Sequence, residues 1–156
     1  MRARLFILIL IISSMACSKG NDCILPLVVQ TQIGMYAYGG DTIREDTSLE
    51  KASLCLNDTA LCYFFNQAIP NKFSLLFNPN VSRQEYVLTD SASAIMDTME
   101  IFYTPKLSFI SNDCGYQYFY DLDSTKFTGA LIDSVKIMND EITDERNKEH
   151  IEIILK

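Results

Sequence analysis

From Leu27 onward, apolar and polar residues alternate with a period of two, in short runs separated by turn-forming residues. Val29, Ile33, Met35 and Ala37 alternate with Gln30, Gln32 and Tyr36. Further runs lie near 51–56, 61–65, 73–77 and 84–89, and Asn78-Pro79-Asn80 breaks the chain between the last two. Met99, Ile101 and Tyr103 alternate with Thr98 and Glu100 until Pro105, which is expected to interrupt the run before it resumes over 106–111. Tyr116, Tyr118, Tyr120 and Leu122 fall on one face of the next run. Leu131, Val135 and Ile137 mark another, and Ile151, Ile153 and Leu155 close the chain. No segment carries a helical period. Eight or nine strands at roughly ten-residue spacing predict an all-β fold, an antiparallel β-sandwich first and an open barrel second.

The N-terminus follows a different pattern. Arg2 and Arg4 precede an unbroken apolar run, Leu5 to Ile12, and Ser13, Ser14 and Ala16 supply small residues before Cys17. That layout predicts a signal peptide over residues 1–16, since the run is far short of the roughly 20 residues that span a bilayer. Ser14-Met15-Ala16-Cys17 resembles a bacterial lipobox, with Ser14 where the usual pattern has Leu. The resemblance implies lipidation of Cys17, including palmitate, and attachment to the membrane of the bacterial envelope, the outer membrane foremost, facing periplasm or surface. Residues 17–26 read as the lipidated Cys and a short polar tether, and 27–156 as a single domain.

Composition and charge narrow the partners. The 156 residues hold 13 Lys+Arg against 20 Asp+Glu. Loss of residues 1–16 leaves 11 against 20, a net charge of −9. Such a chain offers no basic patch for phosphate, so nucleic acid is not an expected partner. Anionic head groups would repel it, so acyl chains must do the anchoring. The remaining expected partners are an unidentified envelope protein or a glycan.

Beyond Cys17 the cysteines number four, an even count that in an exported chain predicts a disulfide framework with three possible connectivities. Cys55 and Cys62 flank a turn at Asn57–Ala60 and would face each other as a non-hydrogen-bonded pair of a hairpin, close enough to bridge. By elimination Cys23 would join Cys114 and fasten the tether to the body. Cys55 and Cys62 are too far apart for a zinc knuckle, and no metal or cofactor motif is present.

Phe109-Ile110-Ser111-Asn112-Asp113-Cys114-Gly115-Tyr116 leads into the aromatic run, with Leu131-Ile132-Asp133-Ser134-Val135 and His150-Ile151-Glu152-Ile153 after it. Together with the lipoprotein signal and Cys23, these resemble a family of small lipoproteins of Gram-negative bacteria that carry a domain of unknown function. The resemblance spans nearly all of 27–156. It implies the Cys23–Cys114 bridge and brings no catalytic residues with it.

Candidate chemistry is sparse. The single histidine, His150, reads as a surface or edge residue opening the last strand, and no nucleophile elbow, zinc-helix motif or phosphate loop occurs. Asp121 and Asp123 share one strand face, as the carboxylate pair of a glycan-acting envelope enzyme would, and that is the alternative function. The tyrosine row 116/118/120 reads as core, although exposed tyrosines would stack on sugar rings. Finally, Asp-Ser or Asp-Thr followed by Ala, Ile, Leu, Met, Thr or Val occurs six times, where random placement predicts about one. The hydroxyls are Thr42, Thr59, Ser91, Thr98, Ser124 and Ser134. The tripeptide is similar to an O-glycosylation signal of exported proteins in some Gram-negative bacteria, and it is equally the chemistry of a turn entering a strand. The reading of the whole is a lipid-anchored, non-catalytic binding or structural module.

Overall fold

The computed structural model describes residues 28–39, 43–57, 59, 61–145 and 148–156. Residues 1–16, read above as a signal peptide, the expected tether with Cys17 and Cys23, and Thr42 lie outside them. The described residues form eleven strands and no helix: β1 (Thr31–Gly39), β2 (Ile43–Asp46), β3 (Leu49–Leu56), β4 (Cys62–Ile69), β5 (Lys72–Leu75), β6 (Arg83–Asp90), β7 (Ile95–Ser111), β8 (Gly115–Phe127), β9 (Ile132–Ile137), β10 (Glu141–Ile142) and β11 (Ile151–Leu155). They make two sheets. The smaller has the order β2-β1-β11-β9, with β5 also paired to β1, and the larger β10-β8-β7-β6-β3-β4. The fold is all-β, as the alternation predicts.

Every strand pair is antiparallel except β1 with β11, which run parallel from Ile33 beside Ile151 to Ala37 beside Leu155. The sequence of β11 reports its position. Ile151-Glu152-Ile153-Ile154-Leu155 is buried at all five residues, the mark of a central strand covered on both faces. On the other side of β1, β2 and β5 lie end to end. The Met35 amide donates to the Asn71 carbonyl, and the Met35 carbonyl accepts from the Thr47 amide, so one residue serves both neighbours.

The core lies between the sheets. Ile33, Met35, Ile151, Ile153 and Leu155 of the smaller sheet meet Leu54, Leu88, Met99, Ile101, Tyr103 and Leu122 of the larger. Area burial of such side chains supplies most of the folding free energy. Polar groups then fix where the chain passes from sheet to sheet. Between β5 and β6, the Tyr63 hydroxyl donates to the Leu76 carbonyl, the Tyr120 hydroxyl to that of Phe77, and the Tyr103 hydroxyl to that of Asn78. The Phe77 ring stacks on Tyr103 at 4.2 Å and meets Tyr120 edge-on at 5.6 Å.

Another passage, from β8 to β9, is held by a carboxylate. Asp97 has the same phase in β7 as Met99, Ile101 and Tyr103 and therefore points inward, where it is completely buried. It accepts hydrogen bonds from the Thr128 hydroxyl (2.5 Å) and from the amides of Ala130 (2.7 Å), Leu131 (2.6 Å) and Ile132 (2.6 Å). Gly129, at φ +78°, allows the turn that aims three successive amides at one anion. Burial opposes ionisation of Asp97, but the four donors outweigh it and hold the carboxyl below its ordinary pKa.

Pro105 does not interrupt its strand, contrary to the expectation from sequence. The Tyr103 amide points away from β8 and bonds the Ser82 carbonyl, just before β6 begins. Two residues on, Pro105 points its nitrogen the same way, past the end of β6, where no ladder bond is lost. β7 therefore runs unbroken for 17 residues.

Asp97→Asn keeps the shape but sets an NH₂ among N–H donors, and should cost about 2–4 kcal/mol in denaturant unfolding. Because folding lowers this pKa, its stabilisation is complete above the ordinary aspartate value of about 4 and is lost as pH falls through the folded value. A variant that unfolds at the wild-type midpoint, with the same acid limb, would remove Asp97 from this role.

Candidate functional site: the exposed face of the β7–β8 arm

The inward phase of β7 continues past Tyr103 through Pro105 to Leu107 and Phe109, and that of β8 runs back from Leu122 and Tyr120 to Tyr118 and Tyr116. In register, Tyr103 lies beside Leu122, Pro105 beside Tyr120, Leu107 beside Tyr118 and Phe109 beside Tyr116. Burial along this one face changes abruptly. Tyr103 and Tyr120 are buried, whereas Leu107 is 56% exposed, Phe109 55%, Tyr116 69% and Tyr118 38%. The two strands extend beyond the core, and their core-type face continues into solvent. The reading of the tyrosine row as core is thus corrected: Tyr120 is core, Tyr116 and Tyr118 are not.

The four side chains form two adjacent cross-strand pairs, and the Phe109 and Tyr116 rings sit 5.3 Å apart at 63°. Gly115, at φ +68°, and the turn over Asn112–Cys114 close the arm. Cys114 in that turn is disulfide-bonded. Its expected partner, Cys23, lies outside the described residues. Cys55 and Cys62 are joined to each other as a facing pair, Cα atoms 3.9 Å apart, with the Leu56 amide bonded to the Leu61 carbonyl between them on the turn side.

The acidic candidates do not converge on a cleft. Asp121 and Asp123 both flank Thr104 on the outward face of the larger sheet. Asp121 is ion-paired with Lys106, and Asp123 accepts from the Thr104 hydroxyl at 3.0 Å. The hydrogen-bonded Asp121 carboxylate holds the Lys106 pKa above its ordinary value. Among the described residues no three His, Cys, Asp or Glu side chains sit together as metal ligands would.

His150 is not a surface residue: it is fully buried just before β11. Its Nδ1 accepts from the Gln32 amide at 3.0 Å, and its pKa is lowered, chiefly by burial and then by Lys148. Neutral His150 therefore carries its proton on Nε2, which finds no partner among the described residues. It serves the β1–β11 junction.

The hydroxyls of the repeated tripeptide fall in unlike places. Thr59 in the β3–β4 loop, Ser91 in the β6–β7 turn and Ser124 are exposed, while Thr98 and Ser134 are half-buried. Ser124 lies within β8. In one case the neighbouring Asp is a turn former: Asp90 accepts from the Ala92 and Ser93 amides. In another it is the buried Asp97.

Residues 32–155 match a family described as a family of unknown function, DUF6452. The chain belongs to that family. No curated protein and no solved structure matches it. The DUF6452 match covers the whole sandwich from β1 to β11, and with it the arm and the Asp97 junction.

The split tyrosine row gives a direct test. Tyr120→Phe, which leaves the Phe77 carbonyl without its donor, should lower stability by about 1–2 kcal/mol. Tyr116→Ser should change it by less than about 1 kcal/mol, the worth of one cross-strand contact. Equal losses in thermal unfolding would place Tyr116 in the core after all.

Proposed function

We propose that this protein is a lipid-anchored module of the cell envelope that binds or scaffolds rather than catalyses. The observation that carries the reading is the β7–β8 arm, an apolar and aromatic surface held on a rigid sheet. Contiguous exposed apolar surface on a folded domain is a common feature of interaction sites. The signal-like N-terminus and the lipobox-like stretch ending at Cys17 supply the anchor. A glycan-acting enzyme would need two carboxylates facing one substrate, and the occupied, outward Asp121 and Asp123 favour the module instead. If the tripeptides carry glycans, the exposed Thr59, Ser91 and Ser124 are the acceptors that accessibility favours.

Labelled palmitate should enter the protein in its own host, and Cys17→Ser should abolish both labelling and retention in the membrane fraction. A Ser variant that still takes up label and sediments with membranes would contradict the anchor.

A further inference from the structure

The exposed pairs Leu107–Tyr118 and Phe109–Tyr116 continue the core face of the larger sheet beyond its cover and leave an apolar face open to something outside the sandwich. Three observations indicate what. The first is where the arm is fastened. Cys114 lies in the turn between the two strands and is disulfide-bonded, while Cys55 and Cys62 are joined to each other. The cysteines that remain in the sequence are Cys17 and Cys23. With Cys17 acylated, a Cys23 bridge ties the arm tip to a point six residues from the lipid, a reach of at most about 20 Å even when fully extended. The second is the chemistry of the face. Leucine and phenylalanine supply apolar bodies and the two tyrosines beside them add polar hydroxyl tips, the combination that settles at the boundary between head groups and acyl chains. The third is charge. At −9 after loss of residues 1–16, the chain has no electrostatic attraction to anionic lipid, so docking must come from apolar insertion.

We propose that Leu107, Phe109, Tyr116 and Tyr118 form a membrane-docking face that inserts into the interface of the bilayer holding the Cys17 acyl chains. The acyl chains give residence at the membrane, and the arm gives orientation: the domain lies with one defined face to the lipid instead of swinging on its tether. This inference rests on the anchor reading above, since the tether is what raises the local concentration of a patch too small to bind lipid alone.

The chain contains no tryptophan, so single substitutions give clean reporters. Tyr116→Trp places one on the arm, and Phe65→Trp, on the exposed part of β4 at the far edge of the same sheet, serves as control. The full chain as recovered from its host is combined with phosphatidylcholine vesicles, with and without brominated acyl chains. Trp at 116 is expected to shift to the blue and lose about half its emission to the bromolipid, whereas Trp at 65 is unchanged. Admixed phosphatidylglycerol should not deepen the quenching. Tyr118→Trp repeats the measurement on the neighbouring pair if Tyr116→Trp folds poorly. No quenching at either arm position overturns the docking face. Equal quenching at 65 and 116 overturns it too, and a blue shift without quenching assigns the patch to a second copy of the chain. Co-sedimentation in the same tubes separates the two readings: an unquenched chain that sediments with vesicles keeps its anchor, and one that stays in solution loses both.

Discussion

The Asp97 carboxylate leaves β7 on the core side of the larger sheet and ends among a hydroxyl and three amides of residues 128–132. The end of β8 and the start of β9 are thereby held at one buried anion. An ionised carboxylate without partners would be costly in such a place; with four donors it becomes a geometric constraint that apolar contact alone does not supply. The constraint reaches further through its neighbours. β9 pairs with β11, β11 with β1, and β1 carries both β2 and β5, so the placement of the whole smaller sheet on the larger follows from this junction and from the three tyrosine hydroxyls on residues 76–78.

The same pair of strands produces the candidate site. β7 and β8 are joined to the smaller sheet at the Asp97 end and outrun it at the other. A hairpin longer than the sheet that covers it leaves part of its inward face uncovered, and in this chain the uncovered part is apolar and largely aromatic. The exposed pairs thus sit on a long paired hairpin rather than on a loop, which keeps the four side chains in a fixed arrangement.

Much of this was legible in the sequence, and the failures have physical causes. Period-two alternation located most strands because each has one buried face, whereas the short β2 and β10 offer too few residues to show a period. Pro105 looks like a break because a sequence does not show on which side a strand lacks a neighbour. The Cys55–Cys62 pair was legible because hairpin register is local. In the sequence Asp97 stands inside one of the repeated tripeptides. Its signal was its phase, an acid occupying an inward position of the alternation that holds Met99, Ile101 and Tyr103. The exposure of Tyr116 and Tyr118 depends on how far another sheet extends, a non-local fact that no window of β8 contains. His150 was misplaced for the same reason: the burial of β11 is decided by β1 and β9 on its flanks.

The β8–β9 junction, held by ionised Asp97, should be as firm as the core itself. Amide hydrogen exchange at Ala130, Leu131 and Ile132 tests it most directly, because these three amides donate to the carboxylate. At neutral pH their protection should lie within roughly tenfold of the slowest core amides, and it should fall selectively as pH drops below the ordinary carboxylate range. Exchange at the rate of an exposed turn at neutral pH, or protection that ignores acid, would contradict the account.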